Sequence, residues 1–389
     1  MGKSRNQKSA LATGRSEASR LPTHLRTFTA GTRGGIAIRL LHTSDLHLSR
    51  KNSRTLDGLR EVLNVARKNK VDVVTISGDL FESEEDAEAL RPELRTRFFS
   101  GNEFQIIVVP GNHDREAYRK NLDFGSDLRI LTKLPFDAVK QENVNIVGVP
   151  FVEKRTEELV ASLREAREEG FVNILLLHCT LDISYALVDL GEEEEKEYFP
   201  IDSHTLSGLG FDYVLAGHFH ADFVKKDLGE GGLFVYPGSP ISLSWKHLGR
   251  RKVAFLDTEK RDLKEIPIDS FYYDKLEVQI RPGFETQGLQ KIGQWVENHA
   301  DEPCELKIAV TGHGQMGESQ FGELLKKRAR SAQIEENTYR NVEDVLHHPI
   351  YHDFKQLLQN RKDLTEKRDD IDYRAIEVLS QLKAARKIL

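Results

Sequence analysis

Phe104-Gln-Ile-Ile-Val-Val-Pro-Gly-Asn-His-Asp114 is the stretch whose reading decides the fold. Five of its first six residues are apolar, and the run Ile106-Ile107-Val108-Val109 is β-branched, which predicts a short strand buried on both faces. Pro110 and Gly111 end that strand, and Asn112, His113 and Asp114 follow at its C-terminal tip. Open α/β sheets place their ligands beyond such tips. An amide, an imidazole and a carboxylate delivered together there mark a site.

The same arrangement recurs outward from this strand. Residues 36–41 read as an apolar strand ending in His42-Thr43-Ser44-Asp45-Leu46-His47. Leu56, Leu59, Val62, Leu63 and Ala66 predict a helix over 56–68, leading to a strand at 71–76 and then Ser77-Gly78-Asp79. An acidic helix is expected over 82–97, before the central strand. Residues 144–149 alternate, 153–169 read as a charged helix, and the strand at 171–177 ends at His178. An acidic exposed loop is expected at 192–197. The strand at 211–216 ends in Gly217-His218-Phe219-His220, and strand-like pieces at 233–236 and 252–256 flank Pro237-Gly238-Ser239-Pro240. Strands alternating with helices predict an α/β layered domain.

Near residue 270 the pattern changes. Residues 276–310 read as strand, helix (288–299) and strand, ended by Gly312 and Gly314. After Phe321 the chain reads as charged helix, with Ile371, Ala375, Val378, Leu379, Leu382 and Ile388 making one apolar stripe. The expected division is therefore a basic arm at 1–35, a main domain at 36–270, a small αβ domain at 271–335 and a helical region at 336–389.

Composition narrows the class. At 389 residues with 39% hydrophobic and 30% charged content, the chain can bury a substantial core over two or three domains. No apolar run approaches the roughly 18–20 residues of a membrane span. Cys179 and Cys304 offer no disulfide framework, which favours a reducing compartment and a cytoplasmic location. Net charge is −6, but residues 1–40 carry eight Lys or Arg against Glu17 alone, leaving the remainder near −13. That arm reads as a solvated tail, with phosphate contact or an organelle transit peptide as its alternatives.

Five strand tips thus carry Asp45-x-His47, Gly78-Asp79, Gly111-Asn112-His113-Asp114, His178 and Gly217-His218-x-His220. One histidine alone is more often a hydrogen-bonded core residue than a ligand; five ligand-bearing tips in one chain point to metal. Carboxylate, amide and imidazole donors without thiolate suit a borderline-to-hard divalent ion such as Mn²⁺, with Fe or Zn as alternatives. There are more donors than one ion can use. Two ions about 3.5–4 Å apart, sharing one carboxylate, would use them all, polarise a phosphoryl group and activate water.

With these motifs in this order, the sequence resembles the calcineurin-like metallophosphoesterases over residues 36–257. The resemblance implies a four-layer α/β/β/α sandwich. It places Asp45, His47 and His220 on one metal and Asn112, His178 and His218 on the other, with Asp79 bridging them. It makes His113 the group that contacts the scissile phosphate and protonates the leaving oxygen. Glu82 stands where many members carry an aspartate that hydrogen-bonds this histidine; the alternative is that Glu82 only opens the following helix. Asp114 is expected to support backbone or Arg115.

Residues 41–48 and Tyr236-Pro237-Gly238-Ser239-Pro240-Ile241-Ser242-Leu243-Ser244 resemble SbcD-type nucleases of the meiotic-recombination-eleven family. That likeness implies a DNA exo- or endonuclease of break repair and a nucleoid-associated location. It also implies a small αβ cap and C-terminal helices that grip an SMC-like coiled-coil ABC ATPase of SbcC type, with a homodimer left open. Lys51, Arg54, Arg115, Arg119, Lys246, Arg250 and Arg251 are the local phosphate-contact candidates, and Trp245 either stacks on a base or packs under the cap. The acidic balance keeps a small-nucleotide phosphodiesterase or phosphatase as the alternative. A non-catalytic scaffold is disfavoured, because every ligand position is filled.

Overall fold

The computed structural model describes residues 38–118, 122–152, 156–182 and 199–385. The basic arm, the acidic loop at 192–197, Arg119 and Ile388 lie outside them. In chain order the first elements are β1 (Arg39–Thr43), α1 (Arg54–Lys68), β2 (Val73–Ser77), α2 (Glu84–Arg97), β3 (Gln105–Val109) and β4 (Leu128–Ile130). Next come β5 (Asp137–Gln141), β6 (Val144–Gly148), α3 (Glu157–Glu165), β7 (Val172–His178), β8 (Thr180–Leu181) and β9 (Pro200–Ile201). They are followed by α4 (Ser203–Leu209), β10 (Tyr213–Gly217), β11 (Val224–Gly229), β12 (Gly232–Tyr236), β13 (Lys252–Asp257) and β14 (Asp262–Pro267). The last are β15 (Tyr272–Ile280), α5 (Glu285–Asn298), β16 (Cys304–Gly314), α6 (Glu318–Ala329), β17 (Gln333–Asn337), β18 (Arg340–Asn341), α7 (Glu343–Leu346), α8 (Pro349–Asn360) and α9 (Arg368–Ala384).

Successive side chains of a strand point to opposite faces, and this period sorts the apolar residues into layers. Leu40, Val73, Ile107 and Val109 join Ile146, Ile174, Leu176 and Leu215 in one cluster between two sheets. Their neighbours Leu41, Val74, Ile76, Ile106 and Val108 face outward under α1 and α2. On the far side, Leu175, Leu177, Val214 and Ala216 pack under α3 and α4. The result is an α/β/β/α sandwich, as expected. Strands buried on both sides need no polar face, which is why they read as unbroken apolar runs. Each fully buried Leu, Ile or Val contributes roughly 1.5–3 kcal/mol relative to exposure.

The first sheet has the order β14-β13-β1-β2-β3-β4, with β1 to β4 mutually parallel and β13 and β14 antiparallel at one edge. The second runs β11-β12-β10-β7-β6-β5, with four parallel strands inside and antiparallel β11 and β5 at its edges. In each sheet the parallel core directs its C-terminal tips to one end. There they deliver the polar motifs.

Helix starts follow local chemistry. The acidic helix begins at Glu84 rather than 82, because the Ser83 hydroxyl accepts from the Asp86 amide and caps it. Thr156 and Asp202 cap α3 and α4 in the same way. Strands β5, β11, β14 and β17 were not legible in the sequence: Asp137–Gln141, Val224–Gly229, Asp262–Pro267 and Gln333–Asn337 are charged pieces. Such composition suits edges, which must stay soluble along an unpaired rim.

A third sheet, β15-β16-β17, is parallel, and β18 pairs with the end of β16. Gly312, expected to end the strand, lies inside β16, and the helix expected from residue 321 onward is interrupted by β17 and β18. One face of this sheet packs Val278, Ile280, Ile308 and Val310 against Ile292 of α5 and Phe321 and Leu325 of α6. The C-terminal helices gather on Val345, Tyr351 and Ile376. The expected stripe on α9 is met in part: Leu379 packs on this cluster, Ile376, outside the stripe, is buried in it, and Val378 is 43% exposed. No helix among the described residues is long and apolar enough to cross a membrane.

A polar link crosses the seam between the main sheets. His42 of β1 is fully buried, its Nδ1 3.1 Å from the Thr75 hydroxyl and its Nε2 3.3 Å from the carbonyl oxygen of Ala216 on β10. A carbonyl only accepts, so Nε2 carries the hydrogen and Nδ1 accepts from Thr75. Burial pushes this imidazole down to about 4, so the folded chain resists the proton that the unfolded chain takes up below 6.5. Stability therefore falls as pH drops from 6.5 toward 4, by up to roughly 3 kcal/mol from this group. Urea unfolding at pH 7 and pH 4.5 should show a smaller acid loss for His42→Gln than for the wild type. Equal losses would remove His42 as the cause.

Candidate metal centre

The loops after β1 and β2 run side by side. Amides of Asp45, His47 and Leu48 donate to carbonyls of Gly78, Asp79 and Leu80 at 2.9–3.1 Å, extending the parallel pairing beyond the strands. Leu46 and Leu48 are buried and anchor this loop, so Asp45 and His47, at alternate positions, turn toward the sheet tips. Four residues here have left-handed backbone: Asp45 (φ 55°), His47 (47°), Asp79 (49°) and His218 (109°). Asp and His are enriched there, yet each costs on the order of 1–2 kcal/mol. Strain of that kind gathers where function requires it.

Glycines make room between the motifs. A Cβ on Gly78 would run into the His178 ring, one on Gly111 into the Asp79 carboxylate, and one on Gly217 into the Ser77 carbonyl. The Gly preceding three of the ligand residues is thus fixed by the closeness of a different strand tip.

The nine sequence-predicted residues come together at one end of the sandwich. Ligand atoms of Asp45, His47 and His220 lie within 4.8 Å of one another, as do those of Asp45, Asp79 and His178. Nε2 of His47 is 3.1 Å from Nε2 of His220 and 3.9 Å from Asp79 Oδ2. Nε2 of His178 is 2.9 Å from Asn112 Oδ1 and 3.2 Å from Asp79 Oδ2. The His218 amide donates to both Asp45 oxygens at 3.1 Å, and its ring lies 5.3 Å from that of His178. Asp79 stands between the two groups, its Oδ1 accepting from the His113 amide at 3.0 Å.

Two carboxylates with 0–1% exposure demand compensating positive charge. Burial opposes an imidazolium at His47, but the Glu82 hydrogen bond and the charges of Asp79 and Asp45 outweigh it, lifting the group to about 9. Burial likewise opposes charge at His178, and Asp79 and Asp45 lift it to about 9. Burial also works against the Asp79 anion, yet His178 and His47 hold it well below the usual carboxylate range. Burial raises Asp45. Converging oxygen and nitrogen donors whose charges can be balanced by protons or by cations fit two divalent metal ions.

Glu82 faces two imidazoles. Its carboxylate, half exposed, bonds Nδ1 of His47 at 2.7 Å, whereas His113 meets the Glu82 carbonyl, Nδ1 to oxygen at 3.2 Å. The carboxylate thus hydrogen-bonds a ligand histidine, and it also lies within 4.8 Å of a ring nitrogen of His113. A carboxylate behind a ligand histidine fixes its tautomer and raises its basicity. Glu82→Gln should weaken Mn²⁺ binding about tenfold in a titration of the purified chain; unchanged affinity would sink the link.

Asp114 serves backbone, accepting from the amides of Gly111 and Leu80 at 2.8 Å and from the Tyr118 hydroxyl at 2.9 Å. Burial and the Asp79 charge push it up to about 6. Trp245 stacks on Tyr273 of the third sheet with ring centroids 4.4 Å apart. Of the phosphate-contact candidates, Arg54 pairs with Glu305 at 2.6 Å, Arg115 with Glu116 at 3.1 Å, Arg250 with Asp269, and Arg251 is buried. His247, which the sequence did not single out, lies with its ring 5.2 Å from that of His220.

Residues 38–222 match the calcineurin-like phosphoesterase family. They form a calcineurin-like phosphoesterase domain. Around this phosphoesterase domain the chain is 24% identical over 223 residues to the DNA double-strand break repair protein Mre11 of Saccharolobus solfataricus, covering 52% of this chain and 54% of that one. It is 23% identical over 245 residues to the uncharacterized metallophosphoesterase YhaO of Bacillus subtilis, covering 54% and 55%. The chain spans about half the length of the curated relatives it matches. Among solved structures, TT1561 of Thermus thermophilus is 17% identical with a TM-score of 0.41, covering 60% of this chain and 99% of that one. A phosphoesterase domain with these donors is a metal-binding hydrolase of phosphoesters.

Proposed function

We propose that this chain is a two-metal DNA nuclease of SbcD type, cleaving phosphodiesters at DNA ends during break repair. The observation that carries the reading is the convergence of seven donor residues from five strand tips beside a half-buried His113, in a chain similar to several break-repair proteins. Asp45, His47 and His220 would hold one ion and Asn112, His178 and His218 the other, with Asp79 shared. The oxygen and imidazole donors favour Mn²⁺. When bound, the ions polarise the phosphoryl group and lower the pKa of water for attack.

The chain's own residues supply the rest. A carbonyl only accepts, so Nδ1 of His113 holds its hydrogen on the Glu82 oxygen. The imidazolium then gives its Nε2 proton to the departing 3′-oxygen and is left neutral. Asp79 ties the two events together, since one oxygen faces His178 and the other holds the His113 amide. Helices α7 to α9 would dock the coiled coil of an SbcC-type ATPase, with Ile350 and Leu357 exposed on α8 as anchors. A nucleoid-associated location and a homodimer accord with that partner.

A small nucleotide as substrate is the second reading. It is favoured by the acidic balance beyond residue 40 and by the engagement of Arg54, Arg115 and Arg250 in ion pairs. Duplex binding calls for exposed basic stripes. Assaying the purified chain with Mn²⁺ on duplex ends, cyclic nucleotides and bis-p-nitrophenyl phosphate in parallel separates the two. Shortened DNA supports the nuclease; intact duplex alongside cleaved nucleotides selects the second reading.

A further inference from the structure

His220 lies past the end of β10, in the run of residues 218–223 that no sheet ladder holds. Something outside that run must fix its backbone, because a ligand misplaced by 1 Å loses its metal geometry. The structure supplies two clamps. The Ser239 amide donates to the His220 carbonyl at 3.1 Å. The Arg251 side chain provides the other.

Arg251, 4% exposed, is among the most buried charged residues of the chain. Its guanidinium donates to the carbonyls of His220 and Ala221, to that of Ser239 at 2.9 Å and to that of Leu248 at 3.4 Å. Four carbonyl dipoles thus surround one planar fork, a geometry that a lysine ammonium cannot reproduce. Gly238 completes the fit. Its φ is +72°, and a Cβ there would lie 3.0 Å from the Arg251 guanidinium and 3.1 Å from the His220 carbonyl oxygen.

We infer that Arg251 is a positioning residue for the metal ligand His220, pinning residues 220–221 to the 238–251 segment, while the His218 amide is held separately by Asp45. The inference rests on the two-metal reading above. The segment that Arg251 grips is itself anchored on the third sheet: the Gly249 amide donates to the Tyr273 carbonyl at 2.7 Å, and Trp245 stacks on the Tyr273 ring. The position of His220 is therefore set from outside the strand that carries it. The backbones of the other donors of its group, Asp45 and His47, are held by the β2 loop, and the Asp45 carboxylate in turn holds the His218 amide.

The test is Mn²⁺ binding to the full chain, followed by elemental analysis and by electron paramagnetic resonance, for wild type, Arg251→Met, Arg251→Lys and Gly238→Ala. Arg251→Met should retain one ion at near wild-type affinity and bind the second at least about tenfold more weakly. The spin-coupled two-ion signal should give way to that of isolated Mn²⁺. Arg251→Lys should recover part of the second site. A purely structural role would lower the melting temperature of the metal-free chain and leave both affinities of the folded fraction alone, and that result would overturn the inference. If Arg251→Met does not fold, Gly238→Ala displaces the same contact from the opposite side, and two undiminished sites in it are equally fatal. Wild-type protein that binds no second ion would instead refute the two-metal reading itself.

Discussion

Asp79→Asn is expected to reduce hydrolysis of bis-p-nitrophenyl phosphate by about a thousandfold or more and to leave fewer than two Mn²⁺ ions per chain. The substitution preserves shape, so its effect reports charge. Asp79 is 1% exposed, with one oxygen 3.2 Å from His178 Nε2 and 3.9 Å from His47 Nε2. It reaches a histidine of both donor groups, as Asp45 does at 3.8 Å from His220 and 3.9 Å from His178, and it makes the shortest of these contacts. Without its negative charge neither group can balance a divalent ion in so dry a setting. Elemental analysis after gel filtration is the check, and a variant that retained two tightly held ions would refute the bridging role.

His113→Gln should behave in the opposite way, keeping both ions and losing turnover. Proton donation to a leaving group typically contributes about 10²–10⁴-fold. The size of the loss should depend on what leaves. A p-nitrophenolate departs without help, whereas a 3′-alkoxide needs its proton. The variant should therefore lose far more on DNA or nucleotide substrates than on bis-p-nitrophenyl phosphate. Equal losses on both would mean that His113 acts on the phosphate and not on the leaving oxygen. Undiminished cleavage of all substrates would remove it from the reaction.

The strand tips were legible because each joins two signals, an apolar β-branched run and a polar ligand residue at its end. The same runs gave an α/β layered domain, while its division into two sheets came with the family resemblance. What lay hidden was pairing across long separations. Glu82 and His47 are 35 residues apart, and no sequence pattern shows that the carboxylate hydrogen-bonds this imidazole. Arg251 sits next to Arg250, and no sequence pattern separates the one that faces Asp269 from the one turned inward onto four carbonyls. Edge strands such as Asp262–Pro267 were missed because solubility at a rim selects the same residues as a loop. On α9 the stripe was read in part: Leu379 packs as expected beside Val345 and Tyr351, while Ile376, which was left out, is buried there and Val378 is exposed.

The donors come from both sheets: Asp45, His47, Asp79 and Asn112 follow β1, β2 and β3, while His178, His218 and His220 come from β7 and β10. An apolar layer is non-directional and does not by itself dictate how far one sheet has slid along the other. Ligation does. Two ions held at this end would turn a greasy contact into an indexed joint, in which the registry of the sandwich and the alignment of the reacting groups are one mechanical quantity. Metal removal should accordingly be felt as looseness between the sheets, well away from any residue that touches a substrate.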